Sequence, residues 1–483
     1  MIPSAPTFDV QAFAARLHSR YQPQLEAERY IEALNLSSDV DFVILIEPGL
    51  GYLIPALHKI HPGCKAVVLH TDKRLGELRR YSTDVPAWFP DCGCSVQEFL
   101  ENAIPDTASM QIIEWRPSVS VFGEACLELT RECSAFIKRA AASRRTLAMF
   151  GRRWLRNFFR NLRLINSAVL YKTMDRPIVI TGSGPSLETV LPQIQSCREG
   201  IFLIAASSSL PALISGGIRP DLLISTDGGG WALLHLHACF RSPLVSPGAF
   251  SQPPLFAAAL AAALPSQCTA FPLLAISDGS LWQNMALHAA AIPSVLIPQR
   301  GTVTASALEL ALLLTRGNIF LAGMDLALSD IKSHARPNGF DHLFSRRACR
   351  LLPEYSQYFM RSSDMRLGGS HEVYAAWFKS RGSWPGRIFA LGGKHAIFAS
   401  NEPQVSNLLA GAAANDAGNF KAIVLDGSAH ERCRRAVDTL IGALHTAPYA
   451  EDLSRELGPL LFPSHKEVSA AAIAKALEEA ARG

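Results

Sequence analysis

From Pro177 to about residue 400 the chain repeats one pattern, a short apolar run, a turn rich in Gly, Ser or Asp, and then a helical period. PIVITG, GIFLIAAS, PDLLISTD, SVLIPQ and NIFLAGMD are the apolar runs, and ASALELALLLT is a helix between the last two. Runs that are apolar throughout belong to strands buried on both faces, and their alternation with helices specifies a mostly parallel sheet covered by helices. Ligands of such sheets collect outside the carboxyl ends of the strands. The segments at those ends are residues 182–186, 207–209, 227–230, 299–304 and 323–325, and they are expected to converge on one cleft.

The sharpest of these turns is ITGSGPSLETVLP, where a strand stops at Gly182-Ser183-Gly184 and restarts as a helix. Free backbone N–H groups at the positive end of a helix make an anion cradle. A dinucleotide fingerprint would need a third glycine where Leu187 stands, and the Gly-Lys-Ser/Thr of a P-loop is absent, so neither standard nucleotide motif is complete. Pro185 would fix the turn, Ser183 and Ser186 offer hydroxyls, and Ser186 stands where a helix cap is expected. The loop is either a ligand loop or an ordinary tight turn between strand and helix.

A second, smaller α/β unit precedes it. DFVILIEPGLGYLIPALHKI reads as strand, Gly49-x-Gly51 loop and helix, and KAVVLHTD as a second strand ending in Asp72, where a Rossmann fold holds a ribose hydroxyl. With two glycines this half is either a nucleotide domain or a ligand-free relic of one. Between Cys133 and Met174 lie ten basic and no acidic residues, and FGRRWLRNFFRNLRL spaces Trp154, Phe158 and Leu162 as one helical face. That helix is a connector whose arginines bind carbonyls and carboxylates, or a surface for an acidic partner. The tail from Val405 reads as Ala-rich helices.

A chain of 483 residues with 48% apolar content has ample core for two or three domains. Its net charge of +4 is too small to indicate nucleic acid binding. The start lacks a signal-peptide pattern, and the longest apolar stretch, residues 255–264, is too short to span a bilayer, so a cytoplasmic protein is expected. Ten scattered cysteines read as buried thiols rather than a disulfide framework, and Cys92-Gly-Cys94 has no second ligand pair nearby. Asp227 with its three following glycines either approaches a ligand closely or caps the next helix; it is not an Asp-x-Asp metal motif, and no essential metal is expected.

FGRRWLRNFFRNL, ITGSGPSL, GIRPDLLISTD and GTVTASALELALLLTRGNIFLAGMDLA followed by Ser333-His334 together resemble, in that order, the motility accessory factor family. The resemblance implies a Rossmann-like N-terminal domain (residues 1–135), a basic helical connector (136–175), a central parallel-sheet domain similar to the sialyltransferases of glycosyltransferase family 42 (176–402) and a C-terminal helical cap (403–483). It also implies an activity: transfer of a nonulosonic acid, such as pseudaminic, legionaminic or sialic acid, from its CMP-sugar to Ser/Thr of flagellin, without a cofactor, a nucleic acid or a membrane span.

By the same resemblance Gly182, Gly184, Pro185, Ser186, Ser207, Ser208, Gly323 and Asp325 would bind the nucleotide sugar and Arg300 would neutralise the leaving phosphate; Ser183, Asp227 and Thr302 join the candidate binding residues from their places at the strand ends. A serine triplet, residues 207–209, replaces the asparagine that the sialyltransferases carry after the second strand. His371 would be the general base, with His334 and His342 in reserve, since a histidine titrates near neutrality. The same central domain resembles the archaeal 6-hydroxymethyl-7,8-dihydropterin pyrophosphokinases, which use ATP and Mg²⁺, and a non-catalytic flagellin-binding protein is a third reading.

Overall fold

A computed structural model describes residues 16–78, 80–105, 108–240, 254–299, 301–326, 328–367, 384–392, 419–463 and 468–482, with the single positions 375, 378 and 398. The chain divides into two compact units, Met1–Met149 and Phe150–Gly483. The division falls inside one long helix, Arg116–Leu164, and not at the expected edge of a separate connector.

In the first unit β1 (Phe42–Ile46), β2 (Lys65–Leu69), β3 (Ala87–Trp88) and β4 (Met110–Glu114) form a parallel sheet in the order β3-β2-β1-β4. This is the strand order of a Rossmann half, as the sequence led us to expect. Apolar residues on alternate positions of β1 and β2 feed two cores, one around Ile44, Ile46, Val67 and Phe122, the other around Val43, Leu45, Ile54 and Trp115. Each strand is therefore covered on both faces, which explains its uninterrupted apolar sequence.

The second unit holds a ten-stranded sheet built from β5 (Ser167–Tyr171), β6 (Ile178–Thr181), β7 (Phe202–Ala206), β8 (Leu222–Ser225), β9 (Leu255–Ala259), β10 (Leu273–Ser277), β11 (Ser294–Leu296), β12 (Ile319–Ala322), β13 (Ile388–Leu391) and β14 (Phe420–Val424). Its order is β13-β12-β6-β7-β8-β9-β10-β5-β14, with β11 paired to β10 beside that path. All pairings are parallel except that of β14 with β5. From β6 the chain winds outward through β7 to β10, then crosses back to lay β12 on the other side of β6. The carboxyl ends of β6 and β12 thus flank a topological switch point, the position at which open α/β sheets bind ligands.

Every residue of β6, β7, β8 and β12 is buried. The basic stretch is helical, with Leu155, Phe158, Phe159 and Leu162 buried along it. The C-terminal region departs from the all-helical expectation, because β14 precedes the helices Ala429–Leu444, Tyr449–Leu461 and Ala470–Arg482 and pairs antiparallel with β5. Among the described residues no helix is long and apolar enough to cross a membrane.

Candidate functional site

The strand order places four of the expected segments side by side along one edge of the second sheet: residues 323–325, 182–186, 207–209 and 227–230 follow β12, β6, β7 and β8. The glycine loop and the Gly323-Met324-Asp325 turn do more than neighbour each other. Gly182 N–H donates to Ala322 O at 2.8 Å, and Gly184 N–H to Gly323 O at 2.7 Å. A Cβ on Gly182 would lie 2.5 Å from Gly323 O, one on Gly184 2.6 Å from an Asp325 carboxylate oxygen, and one on Gly323 2.6 Å from Gly182 O. Gly323 also has φ +63°, a left-handed conformation that L side chains rarely adopt. These glycines let two backbone segments touch.

Asp325 completes the junction. Its carboxylate accepts the Ser186 backbone N–H at 2.7 Å and the Ser186 hydroxyl. Ser186 stands at the N-cap of the Leu187–Ser196 helix but makes no side-chain cap; its hydroxyl goes to Asp325 instead. The anion cradle expected from the sequence is real, and the anion in it is Asp325. Gly182, Gly184, Pro185, Ser186, Gly323 and Asp325 are therefore brought together as predicted, in contact with one another.

A strap crosses the same loop. Ala335 N–H donates to Ser183 O at 2.7 Å, while Glu188, in the first turn of the following helix, takes Arg336 N–H at 2.9 Å and pairs with Lys332 at 2.9 Å. These bonds set His334 beside the glycine loop, half-buried, with Nδ1 2.9 Å from Ser333 Oγ. Its ring stacks on His235 at 6.2 Å and meets Phe340 edge-on at 5.8 Å. His235, from the helix Trp231–Cys239 that follows β8, accepts Gly339 N–H at 3.3 Å. Burial, aided by the Arg361 guanidinium, lowers its pKa to about 4 and keeps it neutral. The Arg361 guanidinium carbon lies 3.7 Å over the Phe340 ring.

The remaining predicted residues divide. Ser207 is buried, with its N–H on Ile224 O, and Ser208 is half-buried next to it. Ser209 is consumed structurally by Thr181 and Ala206. Asp227 is exposed and accepts Gly229 N–H at 2.7 Å within the turn before the Trp231–Cys239 helix, whose N-cap is Gly230 without a side-chain cap, so Asp227 does not cap that helix. The close approach at Gly228 is to the protein itself, since a Cβ there would lie 2.2 Å from the Trp154 indole. Thr302 caps the helix Val303–Leu314 by accepting Ala305 N–H at 3.0 Å. His342 is exposed on the helix Asp341–Arg347. Gln299 turns away to Asp278 at 3.1 Å. Arg300 and His371 lie outside the described residues.

Two residues were not singled out from the sequence. Thr304 is the second residue of the Val303–Leu314 helix, its methyl 3.0 Å from a Cβ built on Gly182, so the positive end of this second helix abuts the glycine loop. Ser225, the last residue of β8, is fully buried with an unpartnered hydroxyl. The sequence signal for both is a hydroxyl at a junction of strand or helix with loop in a sheet otherwise apolar there.

The family described as 6-hydroxymethylpterin diphosphokinase MptE-like matches residues 152–330, which include the glycine loop, the Thr302 cap and the Gly323–Asp325 turn. The MAf glycosyltransferase from Magnetospirillum magneticum AMB-1 superposes over 99% of this chain and 78% of its own, with a TM-score of 0.53 at 14% identity. The family match is thus confined to residues 152–330, and the likeness to the solved MAf glycosyltransferase is one of fold. Two uncharacterized proteins of Treponema pallidum (strain Nichols) are 30% identical over 289 residues and 28% identical over 116. These matches span 59% and 23% of this chain, and about three fifths and about half of the relatives' own lengths (61% and 54%).

The first unit has its own switch point, between β1 and β4, and it is filled. His18 Nε2 accepts Leu50 N–H at 3.0 Å inside the Gly49-Leu50-Gly51 turn, and its ring stacks on Trp115 at 5.4 Å. A Cβ on Gly49 would lie 2.5 Å from His18, and one on Gly51 2.3 Å from Tyr81. Burial lowers the His18 pKa to about 4, against the opposing pull of Glu47. Glu47 itself is fully buried and takes His70 at 3.0 Å and Thr71 N–H at 2.6 Å. Asp72, the expected ribose acid, caps the helix Lys73–Glu77 and pairs with Arg74 at 2.5 Å. The geometry favours the ligand-free reading of this half.

Proposed function

We propose that the protein is a glycosyltransferase that moves a nonulosonic acid from a CMP-sugar to serine or threonine hydroxyls of flagellin in the cytoplasm, with no cofactor or metal. The observation that carries the reading is the switch point between β6 and β12, where the GxGPS loop, the Gly-x-Asp turn and a capped helix end meet in one MptE-like domain, on a fold shared with a Maf glycosyltransferase along nearly the whole chain. The amide of Ser186 is already engaged by Asp325, so the donor phosphate is assigned to the neighbouring helix end, where Thr302 and Thr304 stand, and Arg300, close to them in sequence, is the residue assigned to neutralise it. The acceptor oxygen bonds to the anomeric carbon, the bond from that carbon to the phosphate oxygen breaks, CMP leaves, and a histidine takes the acceptor proton. His334 is the described histidine beside the loop; His371 remains the alternative base.

The description of the matching family favours a second reading, diphosphate transfer from ATP to a hydroxymethylpterin. Thermal unfolding with CMP, ATP and 6-hydroxymethylpterin separates the two. A ligand at about a hundred times its dissociation constant stabilises by roughly 2.7 kcal/mol. Stabilisation by CMP that is lost in Arg300→Ala, followed by a sugar-sized mass gain on flagellin in the presence of a CMP-nonulosonate, is the expected result. Stabilisation by ATP or the pterin selects the second reading, and no shift with any of them leaves a flagellin-binding protein without this chemistry.

A further inference from the structure

The cysteines were expected to be buried, and Cys64, Cys126, Cys133 and Cys433 are. Cys92 is exposed and Cys94 half-buried, in the connection between β3 and the helix Val96–Ala103. In an extended strand, residues two apart are separated by about 6.8 Å, at the far limit of what a disulfide spans and well above the usual separation of about 5.5–6 Å. Here the chain turns. Cys92 N–H donates to Phe89 O at 3.1 Å, and Gly93 has φ +83° with nothing within 4 Å of the position a side chain would take. The turn places the two sulfurs 3.4 Å apart. Both ends are anchored: the Trp88 indole N–H donates to Cys94 O at 3.0 Å, and Ser95 caps the following helix through Glu98 N–H at 3.1 Å. Cys92 and Cys94 are both free thiols.

We propose that Cys92 and Cys94 are a redox-active dithiol that closes reversibly to a disulfide by exchange with low-molecular-weight disulfides. The Cys92 thiolate attacks one sulfur of the small disulfide, forming a mixed disulfide and releasing one thiolate. The Cys94 thiolate then attacks the Cys92 sulfur, the bond between the protein and the small thiol breaks, and a second thiolate leaves. The protein loses two protons and two electrons, and the small disulfide is reduced to two thiols. The order of attack follows from the surroundings. Partial burial raises the Cys92 thiol, but hydrogen bonds from the backbone at Cys94 and Phe89 and from the Cys94 thiol outweigh it and bring Cys92 below the ordinary range. Cys94 is raised, chiefly by its hydrogen bond with Cys92.

The test is incubation of the folded full-length chain with oxidised glutathione, followed by alkylation, proteolysis and mass spectrometry. The peptide containing residues 92–94 is expected to lose two hydrogen atoms, to escape alkylation and to regain both thiols with dithiothreitol. Cys94→Ser should trap glutathione on Cys92, whereas Cys92→Ser should slow modification of Cys94 at least several-fold. Exposed Cys349 serves as the internal reference for an ordinary thiol. Two separate glutathione adducts on Cys92 and Cys94, or alkylation of both at the rate of Cys349, overturns the proposal. Equal reactivity of Cys94 with and without Cys92 overturns the assigned order.

Discussion

Asp325 holds Ser186 by its backbone N–H and its hydroxyl together, so that the turn after β12 closes over the start of the helix after β6. A carboxylate at a helix N-terminus accepting an amide is a charge-assisted bond, and removing it leaves a donor unpaired at the positive end of the helix. Asp325→Ala is expected to destabilise the second unit by about 2 kcal/mol, read from its urea unfolding midpoint. If the vacated position is an anion site, inorganic phosphate will recover more stability in this variant than in the parent chain. Equal gains in both would show that Asp325 fills no such site.

The contacts of the glycines predict a graded series. Gly184→Ala forces a methyl against Asp325 and Gly323 O and should cost about 1–3 kcal/mol. Gly323→Ala adds a strained backbone at φ +63° to a similar clash and should cost more. Gly230, with nothing within 4 Å of its missing Cβ and a helical φ of −63°, should accept alanine with no loss of stability. Denaturant melts of the three variants give the ranking directly.

His18 and His235 make stability depend on acid. Both are held near pKa 4, below the 6.5 of an unfolded histidine, so between those values the unfolded chain binds more protons than the folded one. Their contribution is fully present above pH 6.5 and is lost as the pH falls toward 4, with a depression of this size corresponding to about 3 kcal/mol for each. His18→Gln and His235→Gln should each flatten the pH dependence of the unfolding free energy in that window. An unchanged slope in both would refute the assignment.

Under the proposed chemistry, His334→Asn should lower the rate of sugar transfer by about 10²–10⁴ while leaving the CMP-induced thermal shift in place. The same loss in His371→Asn, with His334→Asn active, would move the base to His371. Loss of the CMP shift in His334→Asn would make it a binding residue instead.

The strands flanking the switch point were readable in the sequence because burial on both faces demands unbroken apolar runs, and PIVIT, FLIAA, LLIS and IFLA have no other use in a polar solvent. β9 was not, because LFAAA carries too much alanine to signal a strand, and β14 was not, because FKAIV is half-exposed and pairs only with β5. At the site, the pairing of the two glycine-bearing segments was legible as motifs, but its meaning was not. Gly182 and Gly184 read equally well as room for a phosphate or room for a neighbouring turn, and only the position of that turn in the fold distinguishes them. The strap of residues 332–336 was invisible for the same reason: Glu188, Lys332 and Arg336 are ordinary surface charges until Ser183 O receives Ala335 N–H. The half-buried position of His334 depends on that strap.

His18 has a consequence of another kind. The Leu50 amide in the first unit's glycine turn is occupied by a ring belonging to the same chain, so a nucleotide arriving there meets a competitor that never diffuses away. A tethered group acts at an effective concentration on the order of millimolar or above. Any ligand of that turn would have to displace the His18 ring before it could reach the Leu50 amide.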